Sequence, residues 1–116
     1  MNVTTTKQNI TVHEGGSITL QCLVHVTEEP YVDTFWLFNG SRKQTNSKYE
    51  VNDEWLERSK GTINKKKISL TIHNAGLNDS GRYSCVLKTS HGFRLTNVSV
   101  RVVAGANSKF ISLLID

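Results

Sequence analysis

Proline and long hydrophobic runs are scarce in this chain, and their scarcity limits what it can be. The 116 residues include one proline, and no apolar stretch is long enough to span a bilayer, so we expect no direct membrane insertion. Low-complexity tracts are also missing, which predicts a folded chain. The length suits one domain with a single core. The net charge of +4 is mild and argues against nucleic-acid binding.

Signatures of catalysis and of metal binding are missing as well. The four histidines are scattered along the chain, and no two of them have the spacing of a metal site. Neither a Gly-rich phosphate loop nor a nucleophile motif occurs. We therefore expect no enzyme activity, no catalytic residue, no metal site and no cofactor.

Alternation of apolar and polar residues with a period of two dominates the remaining sequence and predicts β-strands. Turn signals such as Asn39-Gly40 and His91-Gly92 separate the alternating runs, and no segment shows a helical stripe. Many short strands with this punctuation predict an all-β sandwich or barrel. The clearest runs are SITLQCLVH (17–25), VDTFWLF (32–38), KISLTIH (67–73), RYSCVLK (82–88) and NVSVRVV (97–103).

The two cysteines, Cys22 and Cys85, both fall on inward positions of their predicted strands. A bond between them would close a loop of about 60 residues and stabilise the fold by roughly 4 kcal/mol. Two buried free thiols are the alternative. Five N-x-[ST] sequons favour a secreted or surface glycoprotein, in which the bond would be oxidised. The sequons lie at Asn2, Asn9, Asn39, Asn78 and Asn97.

One combination of residues resembles the immunoglobulin superfamily over residues 7–104. It consists of Cys22, Trp36 and the run Asp79-x-Gly81-x-Tyr83-x-Cys85. The resemblance implies a Greek-key sandwich of two antiparallel sheets, a Cys22–Cys85 disulfide and a core that includes Trp36 and Tyr83.

The same resemblance gives the corner before the second cysteine a structural role. The Tyr83 hydroxyl is expected to bind back to the backbone of the corner. Asp79 is expected to pair with an arginine at the start of strand D, and Arg58 is well placed for that salt bridge.

The segment 40–59 has room for strand C′ and for a short strand C″ or an equivalent loop, so a variable-like (V-set) domain is our first choice and an intermediate-type (I-set) domain the second. Strand G lacks the Gly-x-Gly bulge of antigen receptors, which favours a germline receptor or an adhesion molecule. Residues 1–6 are interpreted as a stub before the domain. Residues 105–116 are interpreted as a linker or the start of a following domain.

Strand parity predicts that the two sheets have different outer faces. The sheet with strands B and E shows polar residues, whereas strands C, F and G point apolar residues outward if strand G has no bulge. We call this surface the C–F–G face, which binds partners in similar variable-like receptors. Its predicted partner-binding residues are Phe35, Leu37, Val86, Lys88, His91, Phe93 and Leu95.

Two alternatives would remove this face. Segment 40–59 would cover Phe35 and Leu37, or a bulge would turn Phe93 and Leu95 inward. A glycan on Asn97 would shield one end of the face and leave the end near the F–G loop, residues 90–92, for binding.

These observations predict an extracellular protein-recognition domain of a plasma-membrane glycoprotein, acting in adhesion or in immune or self-recognition. The expected partner is another protein ectodomain, including a second copy of this one. The alternatives are an accessory ectodomain of a membrane complex, as in sodium-channel β-subunits, and the ligand-binding domain of a receptor kinase. The run Lys65-Lys66-Lys67 suits heparan sulfate, but a solvated turn before strand E is favoured.

Overall fold

The computed structural model describes residues 2–27, 31–58 and 63–104, with backbone alone at residues 27, 31, 32, 58, 63 and 64. Within these ranges the chain forms nine strands and one short 3₁₀ helix. The elements are β1 (Asn2–Thr5), β2 (Asn9–His13), β3 (Ile18–Thr27), β4 (Tyr31–Phe38), β5 (Ser41–Arg42), β6 (Tyr49–Arg58), β7 (Ile63–Ile72), the 3₁₀ helix Leu77–Asp79, β8 (Gly81–Thr89) and β9 (Gly92–Val103).

The strands make two sheets that pack face to face. One has the order β1-β3-β7-β6 and the other the order β2-β9-β8-β4-β5. Every neighbouring pair is antiparallel except β2 and β9, which run parallel. The predicted all-β sandwich is therefore confirmed, and β4, β8 and β9 are the strands that the sequence analysis called C, F and G.

The core follows from the period-two alternation. Inward residues of β3, β7, β8 and β9 interdigitate between the sheets, whereas their neighbours in the sequence face outward. The largest side chains that are fully buried are those of Trp36, Tyr83, Leu20, Leu70, Ile72 and Leu87. Burying side chains of this size contributes about 1.5–3 kcal/mol each.

The N-terminal stub predicted at residues 1–6 is wrong for residues 2–5, because these form β1 and pair with β3 from Asn2↔His25 to Thr5↔Cys22. The strand forms because Val3 turns inward and packs against the core. Strand β9 ends at Val103, as predicted, and residues 105–116 lie outside the described residues.

Segment 40–59 contains strand C′ and, in the place of C″, the loop that the sequence analysis gave as the alternative to a short strand. Strand β5 pairs with β4 as C′, but residues 43–48 then bend directly into β6, and no C″ strand forms there. Tyr49 packs against the core instead of covering the C–F–G face. The sandwich is thus established, whereas the choice between V-set and I-set stays open.

The solvated turn expected at the run 65–67 is wrong, because all three lysines lie within β7 beside acidic residues of β6. Lys66 is buried, with its Nζ 2.8 Å from the Asp53 carboxylate. Lys65 and Lys67 face Glu57 and Glu54 across the strand pair, at 3.7 and 3.6 Å. These contacts support a structural role for the run, since each lysine charge has an acidic neighbour.

Candidate binding face

The residues that carried the resemblance form the scaffold that positions the candidate face. Cys22 and Cys85 are joined by a disulfide between the two sheets, and both are fully buried. Trp36 is the cross-strand neighbour of Cys85 and donates its indole N–H to the Ile68 carbonyl at 3.3 Å.

Tyr83 anchors the corner between β7 and β8. Its hydroxyl donates a 2.8 Å hydrogen bond to the Asp79 carbonyl, and its ring stacks on Phe38 with centroids 4.1 Å apart. Burial raises the pKa of Tyr83 far above its ordinary value, and the negative charges of Asp79 and Tyr49 add smaller contributions in the same direction. The ring is therefore neutral and acts as a structural anchor.

The prediction that Arg58 pairs with Asp79 is wrong. The Asp79 carboxylate is 2.7 Å from Lys48 Nζ and accepts a hydrogen bond from the Gly76 N–H at 2.7 Å. Arg58, whose side chain lies outside the described residues, pairs through its backbone with Asn64 at the opposite end of β6 from Lys48. Because β6 begins at Tyr49, earlier than expected, the lysine that precedes it occupies the corner.

The C–F–G face is built from neighbouring positions on β4, β8 and β9. The register from β8 to β9 runs without a shift, so the bulge that would have turned Phe93 and Leu95 inward is not formed. Paired residues align side by side across the sheet. The rows are Asp33–Lys88–Phe93, Phe35–Val86–Leu95 and Leu37–Ser84–Asn97.

Exposure separates these residues into a floor and a rim. Phe93 and Leu95 are 66% and 46% exposed, and Phe35 and Leu37 are half-buried. Val86, expected to be exposed, is buried between its neighbours Phe35 and Leu95, although it lies outside the core between the sheets. It therefore forms the floor of the patch and offers little surface of its own.

Charged residues border the apolar rows. The Arg42 guanidinium binds the Asp33 carboxylate at 2.7 Å and lies 4.6 Å above the centre of the Phe35 ring. Lys88 is exposed in the same row as Asp33. The sequence analysis missed Asp33 and Arg42, since only the pairing of β5 with β4 brings Arg42 onto this face.

His91 lies in the tight turn between β8 and β9 at the end of the face. It is exposed, and its backbone N–H donates to Thr89 Oγ1 at 3.2 Å. The turn thus presents His91 next to the row that contains Phe93.

The sequon asparagines occupy several surfaces of the sandwich. Asn2, Asn9, Asn39 and Asn78 are exposed, whereas Asn97 is half-buried and accepts a 2.6 Å hydrogen bond from Ser84 Oγ. Asn9 and Asn97 lie on the same sheet face as Leu95, but toward the end away from the F–G turn. A glycan on Asn97 would lie directly beside the row of Leu95, and the row of Phe93 is the next one toward the F–G turn.

The opposite sheet is less uniformly polar than predicted. Thr19 and Thr71 face solvent and share a 2.9 Å hydrogen bond, as their parity indicated. At the other end of this face, however, Leu23 and Leu56 are 39% and 50% exposed. Leu56 continues the outward positions 50, 52 and 54 of β6, a strand that the sequence analysis did not predict, and a register shift between Trp55 and Glu57 lies beside it.

Two further features bear on the candidate chemistry. In the described ranges, no three His, Cys, Asp or Glu side chains converge where an ion would bind. The same residues contain no helix with the length and apolar character that a bilayer crossing requires.

The family model for the immunoglobulin domain matches residues 8–98 of the chain. The chain belongs to the immunoglobulin domain family. Within that family it is 35% identical over 88 residues to IgLON family member 5 from Homo sapiens, a match that covers 72% of this chain and 23% of the relative.

Two other likenesses bear on fold and on activity. The chain is 34% identical over 97 residues to probable oxidoreductase PXDNL from Homo sapiens, which covers 84% of the chain but 6% of the relative, so that oxidoreductase name does not transfer. The structure of Dpr2 Ig1-Ig2 in complex with DIP-Theta Ig1-Ig3 matches with a TM-score of 0.72 at 22% identity, over 88% of this chain and 32% of that one. This last likeness shows the fold. The immunoglobulin domain thus spans less than a quarter of the length of either curated relative.

Proposed function

We propose that this immunoglobulin domain is an extracellular protein-recognition module of a cell-surface glycoprotein, acting in adhesion or in immune or self-recognition. The proposed site is the end of the C–F–G face next to the F–G turn. The observation that carries the proposal is the exposure of Phe93 and Leu95 side by side with a floor of Val86.

Apolar exposure of this kind favours a protein partner. A contiguous apolar patch bordered by polar residues is typical of an interaction site, and burying a Phe or Leu side chain contributes about 1.5–3 kcal/mol. Lys88 and the Asp33–Arg42 pair supply charges of both signs at the border. Such charges add specificity to an apolar centre.

The extracellular location is inferred from the five sequons and the Cys22–Cys85 disulfide. The similarity to IgLON family member 5 supports a role as one domain of a longer immunoglobulin protein. Heparan sulfate is disfavoured as the ligand, because each lysine of the run 65–67 has an acidic neighbour.

A second copy of the domain is the first partner to test. In a two-fold contact the same patch faces itself, and Lys88 of one copy would approach Asp33 of the other. Sedimentation of the glycosylated domain at rising concentration measures this self-association directly. A monomer at every concentration would direct the search to a different ectodomain, by surface-display binding of the same protein.

Paired variants test the face whichever partner binds. Phe93→Ser with Leu95→Ser removes the exposed apolar groups and should abolish binding, while the free energy of unfolding falls by about 1 kcal/mol or less per site, with the larger loss at Leu95, which covers Val86. Leu77→Ser is the matched control, since Leu77 is 54% exposed at the distant corner. Undiminished binding by the Phe93/Leu95 variant would refute this site.

A further inference from the structure

A shallow groove crosses the outer face of the β1-β3-β7-β6 sheet, on the opposite side of the sandwich from the C–F–G face. Its volume is about 310 Å³, and its walls include Asn2, Thr4, Leu23, His25, Leu56 and Lys65. Leu23 and Leu56 are its exposed apolar side chains.

The sheet register explains why these residues meet. Asn2 pairs with His25 and Thr4 pairs with Leu23, so the first residue of each pair lies on the edge strand β1 and the second lies on β3. Leu56 is exposed on β6 at the other side of the groove. The groove has walls on β1 and on β6, the two edge strands of the sheet, so it reaches from one edge toward the other. Neighbouring strands are about 4.8 Å apart.

We propose that the N-linked glycan on Asn2 seats its first two N-acetylglucosamine residues in this groove. This inference rests on the proposed extracellular glycoprotein. Asn2 begins an N-x-[ST] sequon with Thr4, and its exposed side chain forms part of the groove wall. A sugar attached there begins its path inside the groove.

The chemistry of the groove fits this sugar. N-acetylglucosamine combines an apolar ring face and an acetamide methyl with hydroxyl and amide groups, and the groove combines Leu23 and Leu56 with polar groups. His25 Nε2 is buried without a hydrogen-bond partner in the described part of the chain. Because this atom is closed off from the surface, a seated sugar would instead contact Leu23, Leu56 and the exposed polar residues of the groove wall, Asn2 and Thr4.

Covalent attachment favours the glycan over a free ligand for the same groove. A tethered group has a high effective concentration, so weak contacts suffice to seat it. Lys65 is not available to attract a polyanion as an isolated charge, because Glu57 lies 3.7 Å from its ammonium.

Seating the glycan has a structural consequence. Strand β1 has four residues and pairs with β3 alone in its sheet, so it is an edge strand. A glycan that runs from Asn2 on β1 to Leu56 on β6 would fasten this short edge strand to the body of the sheet.

The test uses the glycosylated domain secreted from eukaryotic cells, with site occupancy first measured by glycopeptide mass spectrometry. Nuclear Overhauser contacts between the acetamide methyl groups and the methyl groups of Leu23 and Leu56 are expected. Amide exchange in β1 should become about fivefold faster or more in Asn2→Gln, which lacks the glycan.

Two further variants separate seating from a general effect of glycosylation. Leu56→Ser keeps the glycan but removes a wall of the groove, so it should accelerate β1 exchange as Asn2→Gln does. Asn9→Gln removes a glycan from an exposed position on the other sheet and should leave β1 exchange unchanged.

The outcomes distinguish this inference from the proposed function. An occupied Asn2 with no contacts to Leu23 or Leu56, or equal exchange in all three variants, would overturn the seating and leave the proposed function intact. An unoccupied Asn2 beside occupied sequons elsewhere would also overturn the seating alone. Absence of glycan at all five sequons would overturn the seating and the glycoprotein part of the proposed function, whereas the recognition face is tested separately by the Phe93/Leu95 variant.

Discussion

Replacing Asp79 by alanine removes a carboxylate on which the corner between β7 and β8 is built. The side chain of Asp79 is 11% exposed, and its Oδ2 accepts hydrogen bonds from the Gly76 N–H and from Lys48 Nζ, each at 2.7 Å. Lys48 also donates to the Asn74 carbonyl at 2.8 Å. The substitution therefore leaves one backbone N–H without its acceptor and one ammonium without its counter-ion.

The expected loss follows from these two contacts. A hydrogen bond from a backbone N–H to a carboxylate contributes about 1.5–2 kcal/mol. The ion pair contributes less, about 0.5–1 kcal/mol, because the Lys48 side chain is 33% exposed and water screens its charge. We therefore expect Asp79→Ala to lower the free energy of unfolding by about 2–3 kcal/mol.

Urea unfolding followed by tryptophan fluorescence measures this loss. The comparison requires that the free energy of unfolding falls with urea concentration at the same slope in the variant as in the parent domain. A double-mutant cycle with Lys48→Met should give a coupling energy of about 0.5–1 kcal/mol. The matched cycle with Arg58→Met should give a coupling below about 0.3 kcal/mol, since the two sites are distant. A loss below about 0.5 kcal/mol for Asp79→Ala, or a stronger coupling to Arg58 than to Lys48, would refute the reasoning.

Three other predictions concern the core. Replacing both Cys22 and Cys85 by alanine should cost about 4 kcal/mol in urea unfolding, because the bond closes a sequence separation of 63 residues; a loss below about 1 kcal/mol would contradict this. Gly81→Ala should cost about 1–3 kcal/mol, since Gly81 has φ +147° and a Cβ would lie 2.9 Å from Phe38 Cε1; an unchanged urea midpoint would contradict it. Burial raises the pKa of Tyr83, so at alkaline pH the folded state keeps a proton that the unfolded chain releases. The free energy of unfolding should therefore be unaffected below a pH of about 10, the ordinary pKa of tyrosine, and should fall above that pH by up to about 1.4 kcal/mol per pH unit. Tyr83→Phe should flatten this alkaline decline in urea titrations, and an equally steep decline in that variant would assign it to other groups.

Much of the sandwich was predictable because the relevant signal is local. Alternation along one strand states which side chains share a face, and Ile18, Leu20 and Cys22 all turned inward as their parity indicated. The same rule placed Phe93 and Leu95 on the outer side of β9. Strand β1 escaped prediction because Val3 is its one strongly apolar residue, too little for a pattern.

The errors arose where the outcome depended on the lengths of connections. Arg58 was expected at the corner, but β6 begins at Tyr49, and so Lys48 reaches Asp79 while Arg58 lies at the far end of the strand. At the C″ position a short strand and a loop were both open, and the bend at residues 43–48 gives the loop, a choice on which alternation carries no information.

The sequence by itself determined the inward faces of the main strands and the pairing of Cys22 with Cys85. Each of these follows from parity within a strand or from a specific motif. The tertiary structure alone decided which residues of different strands meet. In the folded domain Arg42 lies above the Phe35 ring, and Val86 is buried between neighbouring side chains. Asn2 and Leu56 line the same groove. The physical reason is that contacts between strands depend on register, bulges and loop lengths. These are set when the strands pair, and the alternation within a single strand does not specify them.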